Sequence, residues 1–188
     1  MKTFLEETYQ KTNFSATPLN LTEYELCVFK ECNFNGAQLQ DVKFIDCDFF
    51  DANLSLLNLG KTILRGVNFK GCKLLGAKFE NPGEFAYSLT FENCLLDHAS
   101  FHQAKIKRTH FKNCRLHEVD FSRCDLSEAI FDNCDLAGAV FENTILEKVD
   151  FISSYNFSID PETNRIRKAK FSRNGISGLL TKYDIQIE

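Results

Sequence analysis

The sequence predicts an all-β solenoid of four-cornered coils, and three observations carry the prediction. An apolar residue recurs at every fifth position through most of the chain, the residues between are small or polar in a fixed order, and columns read every 20 residues are uniform in type. Neither a helix of period 3.6 nor a flat strand of period 2 buries one residue in five. A chain that turns a corner every five residues does. Four corners close one coil, and successive coils stack at strand spacing, roughly 4.8 Å. A three-cornered coil would need a 15-residue repeat, which the columns do not support.

The elements follow in order. Phe4, Tyr9, Phe14, Leu19 and Tyr24 keep the register with poorer flanks, so residues 1–26 read as an N-terminal cap with imperfect repeats. Residues 27–79 are regular coils centred on Phe29, Phe34, Leu39, Phe44, Phe49, Leu54, Leu59, Leu64, Phe69, Leu74 and Phe79. Residues 80–90, ENPGEFAYSLT, form an insertion: Pro82 and Gly83 signal a turn. Phe85 and Tyr87 in it either fold back onto the coil or form a recognition loop on a rigid scaffold. Residues 91–151 resume two residues out of step, from Phe91 to Phe151, and all 24 centres of the two blocks are Phe, Leu or Ile. In residues 152–188 the repeats fade. Ile176, Leu179, Leu180 and Tyr183 fall at helical spacing, followed by a short Ile185-Gln186-Ile187 strand. An open solenoid end needs a cap, and this tail supplies one. An apolar tail can also pair with its twin, so the same residues are the candidate homodimer contact.

Four columns result. The first face is a ladder of Phe29, Phe49, Phe69, Phe91, Phe111, Phe131 and Phe151; the second runs from Phe34 to Leu136, the third from Leu39 to Phe141, and the fourth from Phe44 to Leu146. Of 19 Phe, 13 are centres, and all eight Cys sit two residues before a centre. That position takes small fillers, so the thiols read as packing residues. A straight column of thiols cannot surround one ion tetrahedrally, and no C-x-x-C occurs, so neither a metal nor another cofactor is expected.

The fives CDLSE, CDLAG, ANLSL and VDFSR resemble the pentapeptide-repeat family, whose pattern is a small residue, Asp or Asn, Leu or Phe, then two variable residues. The resemblance covers Cys27 to Phe151 and implies a right-handed quadrilateral parallel β-helix. Gly178, Leu179, Leu180, Ile185 and Ile187 resemble the tail of the quinolone-resistance branch, where a short helix and strand form an end-to-end dimer. The resemblance to the quinolone-resistance and microcin-immunity branches implies a DNA mimic that binds DNA gyrase or topoisomerase IV. The alternative is a scaffold for another protein partner.

Charge shapes the functional reading. The net charge of -4 and pI near 5.6 exclude a nucleic-acid or anionic-membrane binder driven by bulk charge, so neither partner is expected. No apolar run approaches the roughly 18 residues of a membrane span, and MKTFLEETYQ lacks the apolar stretch of a signal peptide, which points to the cytoplasm. Residues 118–150 hold nine acids against two cations. Asp120, Asp125, Glu128, Asp132, Asp135 and Glu142 in this stretch are the candidate partner-binding acids. Basic stretches at 61–78 and 105–115 carry no acid. His98, His102, His110 and His117 fall on outward positions, no catalytic constellation is present, and a convex rod offers no cleft. The expectation is a non-enzymatic interaction protein.

Overall fold

A computed structural model describes residues 2–16, 19, 22–37, 39, 41–59, 61–80 and 88–186. These residues form a parallel β-solenoid. The short strands are β1 (Lys2–Leu5), β2 (Thr8–Gln10), β3 (Thr22–Glu25), β4 (Val28–Lys30), β5 (Lys43–Ile45), β6 (Asp48–Phe50), β7 (Ile63–Arg65), β8 (Val67–Lys70), β9 (Leu89–Glu92), β10 (His110–Lys112) and β11 (Ile130–Asp132). The first face is the seven-stranded sheet β11-β10-β9-β8-β6-β4-β2, and the lower fourth face is the sheet β1-β3-β5-β7. The second and third faces carry parallel single-residue bridges instead, such as Asn33↔Asn53 and Ser100↔Asp120.

Register is set by the inward rings. Phe29 pairs with Phe49, Phe49 with Phe69, Phe91 with Phe111 and Phe111 with Phe131. Their rings stack at 4.7, 5.1, 5.0 and 4.8 Å between centroids. The stack runs beyond both ends of the Phe29–Phe151 ladder: Tyr9, in its expected register, lies 5.1 Å from Phe29, and Phe171 lies 5.4 Å from Phe151. Coiling therefore starts with β1 and extends through the bridges Ile145↔Arg165 and Asp150↔Lys170. Across the insertion the partner spacing grows by two residues, as Lys73↔Leu95 and Lys78↔Ser100 show. Phe85 and Tyr87 lie outside the described residues.

The corners explain the polar pattern. Two residues after most centres the backbone is left-handed, with φ +63° at Gly36, +52° at Asn113 and +59° at Arg108. Such a residue costs roughly 1 kcal/mol unless it is Gly, and Asn and Asp are tolerated best. A Cβ at Gly66 would also meet the Asp46 carboxylate of the coil below, which would have to swing aside. On the second, third and fourth faces an Asp or Asn before a centre can cap the turn. Asn33 Oδ1 accepts the Asn35 N–H at 3.1 Å, and Asp120 Oδ1 accepts the Ser122 N–H at 2.8 Å.

All eight Cys are buried and unbonded to one another. They do more than fill space. The Cys47 thiol donates to the Tyr24 carbonyl at 3.3 Å, and Cys134 to Phe111 at 3.4 Å. Thr144 and Ser154 make the same bond to Phe121 and Phe131 at 2.8 Å. Cys, Thr or Ser at this position can thus donate to the central carbonyl one coil below, as Thr62 also does to Leu39 at 3.1 Å, whereas the Thr109 hydroxyl finds no partner. Burial pushes the Cys47 thiol up to about 12 and Cys124 well above its ordinary value, which keeps both protonated and unreactive.

The tail is helical where the spacing predicts it, but as two 3-10 turns, Ile176–Leu179 and Thr181–Tyr183. Asp184 then turns left-handed at φ 50°, and Ile185 and Gln186 lie in no strand. Gly178, within the first of these turns, is buried against Phe157, whose ring would stand 2.7 Å from a Cβ there, and the run is interrupted at Leu180. The Gly178 carbonyl accepts the Ile159 N–H at 2.9 Å, and Lys182 ties the tail to Asp160 at 2.8 Å and Glu162 at 2.7 Å.

Candidate interaction surfaces

A solenoid sorts neighbours in sequence onto different faces, and the six candidate acids part accordingly. Asp132 follows the first-face centre Phe131, and Asp135 bridges Arg115 and Tyr155 on the second face. Asp120 and Glu142 flank Phe121 and Phe141 on the third, and Asp125 and Glu128 flank Leu126 on the fourth. They do not form one contiguous patch.

Their compensation also differs by face. On the fourth, Lys107 lies 3.1 Å from Asp125, while Arg108 and Lys148 lie 3.1 and 3.0 Å from Glu128. Hydrogen bonds from Lys148 and Arg108 hold the Glu128 carboxyl below its ordinary range. On the second and third faces the partners are largely imidazoles. His98 lies 3.4 Å from Glu118, His102 3.9 Å from Asp120, and His117 2.8 Å from Asp135. Burial raises Asp135, but hydrogen bonds from His117 and Asn156 outweigh it and hold the carboxyl low. Glu142 is exposed and has no ion pair among the described residues. Arg115 on the second face is engaged by Asp97 and also acts on its bridge neighbour Asp135, while Arg123 stands exposed beside Phe121 on the third. The second and third faces therefore present Glu118, Asp120, Asp135 and Glu142, none of them in an ion pair with a Lys or Arg among the described residues.

The tail divides its six candidate residues. Leu179 packs against the core and Leu180 is half-buried. Ile176, Tyr183 and Ile185 are exposed, by 52, 52 and 55 %. Ile187 lies outside the described residues.

Among the described residues no group of three or more His, Cys, Asp or Glu is placed to hold a metal ion. A groove of about 570 Å³ between the last coil and the tail is lined by Ala137, Gly138, Tyr155, Asn156, Ser158 and neighbours, with no acid, base, His or Cys. No described helix is long and apolar enough to cross a membrane.

Comparison with solved structures places the fold. A trypsin-treated form of QnrB1, a plasmid-mediated fluoroquinolone resistance protein, aligns with TM-score 0.63 over 100 % of this chain and 98 % of its own, at 17 % identity. Full-length QnrB1 aligns with TM-score 0.61 over 97 % of this chain and 100 % of its own, also at 17 % identity. At that identity the likeness shows a shared fold. No curated protein matches the chain in sequence. The family model described as the pentapeptide repeat region matches residues 22–101 and 86–178. Matched over most of its length, and coiled with one inward ring or aliphatic every five residues, the chain belongs to the pentapeptide-repeat family.

Proposed function

We propose that this protein is a non-enzymatic binding rod that occupies the DNA site of a type II topoisomerase such as DNA gyrase, and so lowers the action of quinolones or related gyrase poisons. The observation that carries the reading is the set of carboxylates on the second and third faces, Glu118, Asp120, Asp135 and Glu142, none of which forms an ion pair with a Lys or Arg among the described residues. They stand on the outer surface of stacked, hydrogen-bonded coils. A basic DNA saddle attracts such a rod by the same electrostatics that attract a duplex, and salt weakens both. The fold shared with QnrB1 supports the choice of partner. The pairing of Asp125 and Glu128 with cations favours the competing reading, a scaffold for some other protein.

A gyrase supercoiling assay with and without a fluoroquinolone separates the two. Wild-type protein at micromolar concentration inhibits supercoiling or relieves the drug. Asp120→Asn, Asp135→Asn and Glu142→Gln together weaken that effect by at least about tenfold, the 1.4 kcal/mol scale of a lost charge contact. Asn keeps the turn cap, as Asn33 does, so fold and charge are separated. The control Lys70→Gln changes nothing. Absence of any effect of the wild type on gyrase would leave the scaffold reading standing.

The rod also pairs with its twin through the exposed side of the tail, which places two acidic surfaces end to end. Light scattering reports a dimer for the wild type and a monomer for Ile176→Asp with Tyr183→Asp. A monomeric wild type removes this part of the proposal.

A further inference from the structure

The chain's net charge of -4 conceals one face of the opposite sign. Above the insertion, the fourth face is built on Ile106, Leu126, Leu146 and Ile166, with the bridge column Lys105↔Asp125↔Ile145↔Arg165. Lys105, Lys107 and Arg108 surround Ile106, Lys148 follows Leu146, and Arg165, Arg167 and Lys168 surround Ile166. Against these seven cations stand three acids, Asp125, Glu128 and Glu147. Height decides which sign a partner meets. All seven cations are exposed, whereas the three acids are half-buried and engaged from above. Lys107 covers Asp125, Arg108 and Lys148 cover Glu128, and Arg165 covers Glu147. Lys105, Arg167 and Lys168 have no ion pair among the described residues.

We propose that this face binds the phosphate backbone of nucleic acid, without sequence preference. Six of its cations stand in two rows three coil steps apart, roughly 14 Å at strand spacing, with Lys148 between them. Along one strand of duplex that distance holds about four phosphates. The face has no exposed apolar residue: the centres Ile106, Leu126 and Leu146 are fully buried, and Ile145 is half-buried. A protein partner is held chiefly by a desolvated apolar or aromatic anchor. A phosphate backbone needs none, because counterion release supplies the free energy. This inference is independent of the topoisomerase reading.

The test is fluorescence anisotropy of a labelled duplex with the purified full-length protein and no topoisomerase, over a series of salt concentrations. Wild type binds at low salt with a dissociation constant between about 1 and 100 µM, and binding weakens as salt rises. Lys105→Gln, Arg167→Gln and Lys168→Gln together reduce affinity at least about tenfold and lower the salt slope by about 2 to 3, near 0.9 per lost phosphate contact. These positions are exposed, and an unchanged thermal melt shows that the variant is folded. The first-face controls Lys30→Gln and Lys70→Gln leave binding unchanged. No binding at about 100 µM protein in low salt overturns the proposal. So does an equal loss in the controls. Polyglutamate displacing the duplex at equal or lower charge concentration assigns the face to an acidic protein instead.

Discussion

Phe111→Ala should destabilise the protein by about 3 to 5 kcal/mol, the cost of deleting a fully buried aromatic ring. Phe111 has no exposed surface and touches four rings. Phe91 and Phe131 stack on it at 5.0 and 4.8 Å, and Phe101 and Phe121 meet it edge-on at 6.0 Å. In a globular core, neighbours can shift into such a hole. Here each ring is pinned by the parallel ladder of its own strand, and adjacent coils cannot approach closer than strand spacing. The cavity therefore stays open. Urea titration followed by circular dichroism measures the loss, with Phe50→Ala as the comparison, since Phe50 is half-buried on the outer side of β6. A loss below about 1 kcal/mol for Phe111→Ala would show that the ladder relaxes and is not the element that holds register.

The sequence made the inward half of the fold legible because one rule, a ring or aliphatic every five residues, repeats without exception from Phe29 to Phe79 and from Phe91 to Phe151. Burial is a local consequence of that rule, so the columns followed from counting. The thiol bond to the carbonyl below was less visible. Cys, Ala, Val, Thr and Ser alternate at that position, and size alone accounts for the set. Thr144 and Ser154 were the available clue, since a hydroxyl at a dry corner needs an acceptor. A second clue lay two residues after the centres, where Gly36, Gly66, Gly71, Asn93, Asn113 and Asn133 mark a left-handed turn. The surface was legible least. Acids read as one band along residues 118–150 fall on four faces, because the next residue of like charge is often a quarter of a coil away. Pairing runs between coils, as in Lys70–Glu92–Lys112 and Arg108–Glu128–Lys148. Reading charge every 20 residues, as was done for the rings, would have found both the paired fourth face and the four carboxylates of the second and third without a Lys or Arg ion pair among the described residues.

Gly178→Val should undock the tail and cost about 1 to 3 kcal/mol, the range for forcing extra volume into a packed site. Its neighbours cannot yield. A Cβ there meets the Phe157 carbonyl and lies 2.7 and 2.8 Å from two ring atoms of Phe157. That ring is 5 % exposed and packs 5.5 Å from Phe151 and 5.6 Å from Phe171, which close the end of the ladder. To admit valine, the tail must move. It then gives up the Ile159–Gly178 backbone bond at 2.9 Å and strains the Lys182 clamp on Asp160 and Glu162. The uncovered end exposes stacked rings. The expected result is faster tryptic cleavage after Arg173 and Lys182, together with binding of a hydrophobic dye. Lys182→Ala tests the clamp alone and should give a smaller change, since exposed ion pairs are worth about 0 to 1 kcal/mol. The presentation of Ile176, Tyr183 and Ile185 depends on the same docking, so Gly178→Val should also abolish pairing through the tail without altering any exposed contact residue. Wild-type cleavage rates in Gly178→Val would show that the tail does not cap the ladder, and dimerisation would then have to be explained without it.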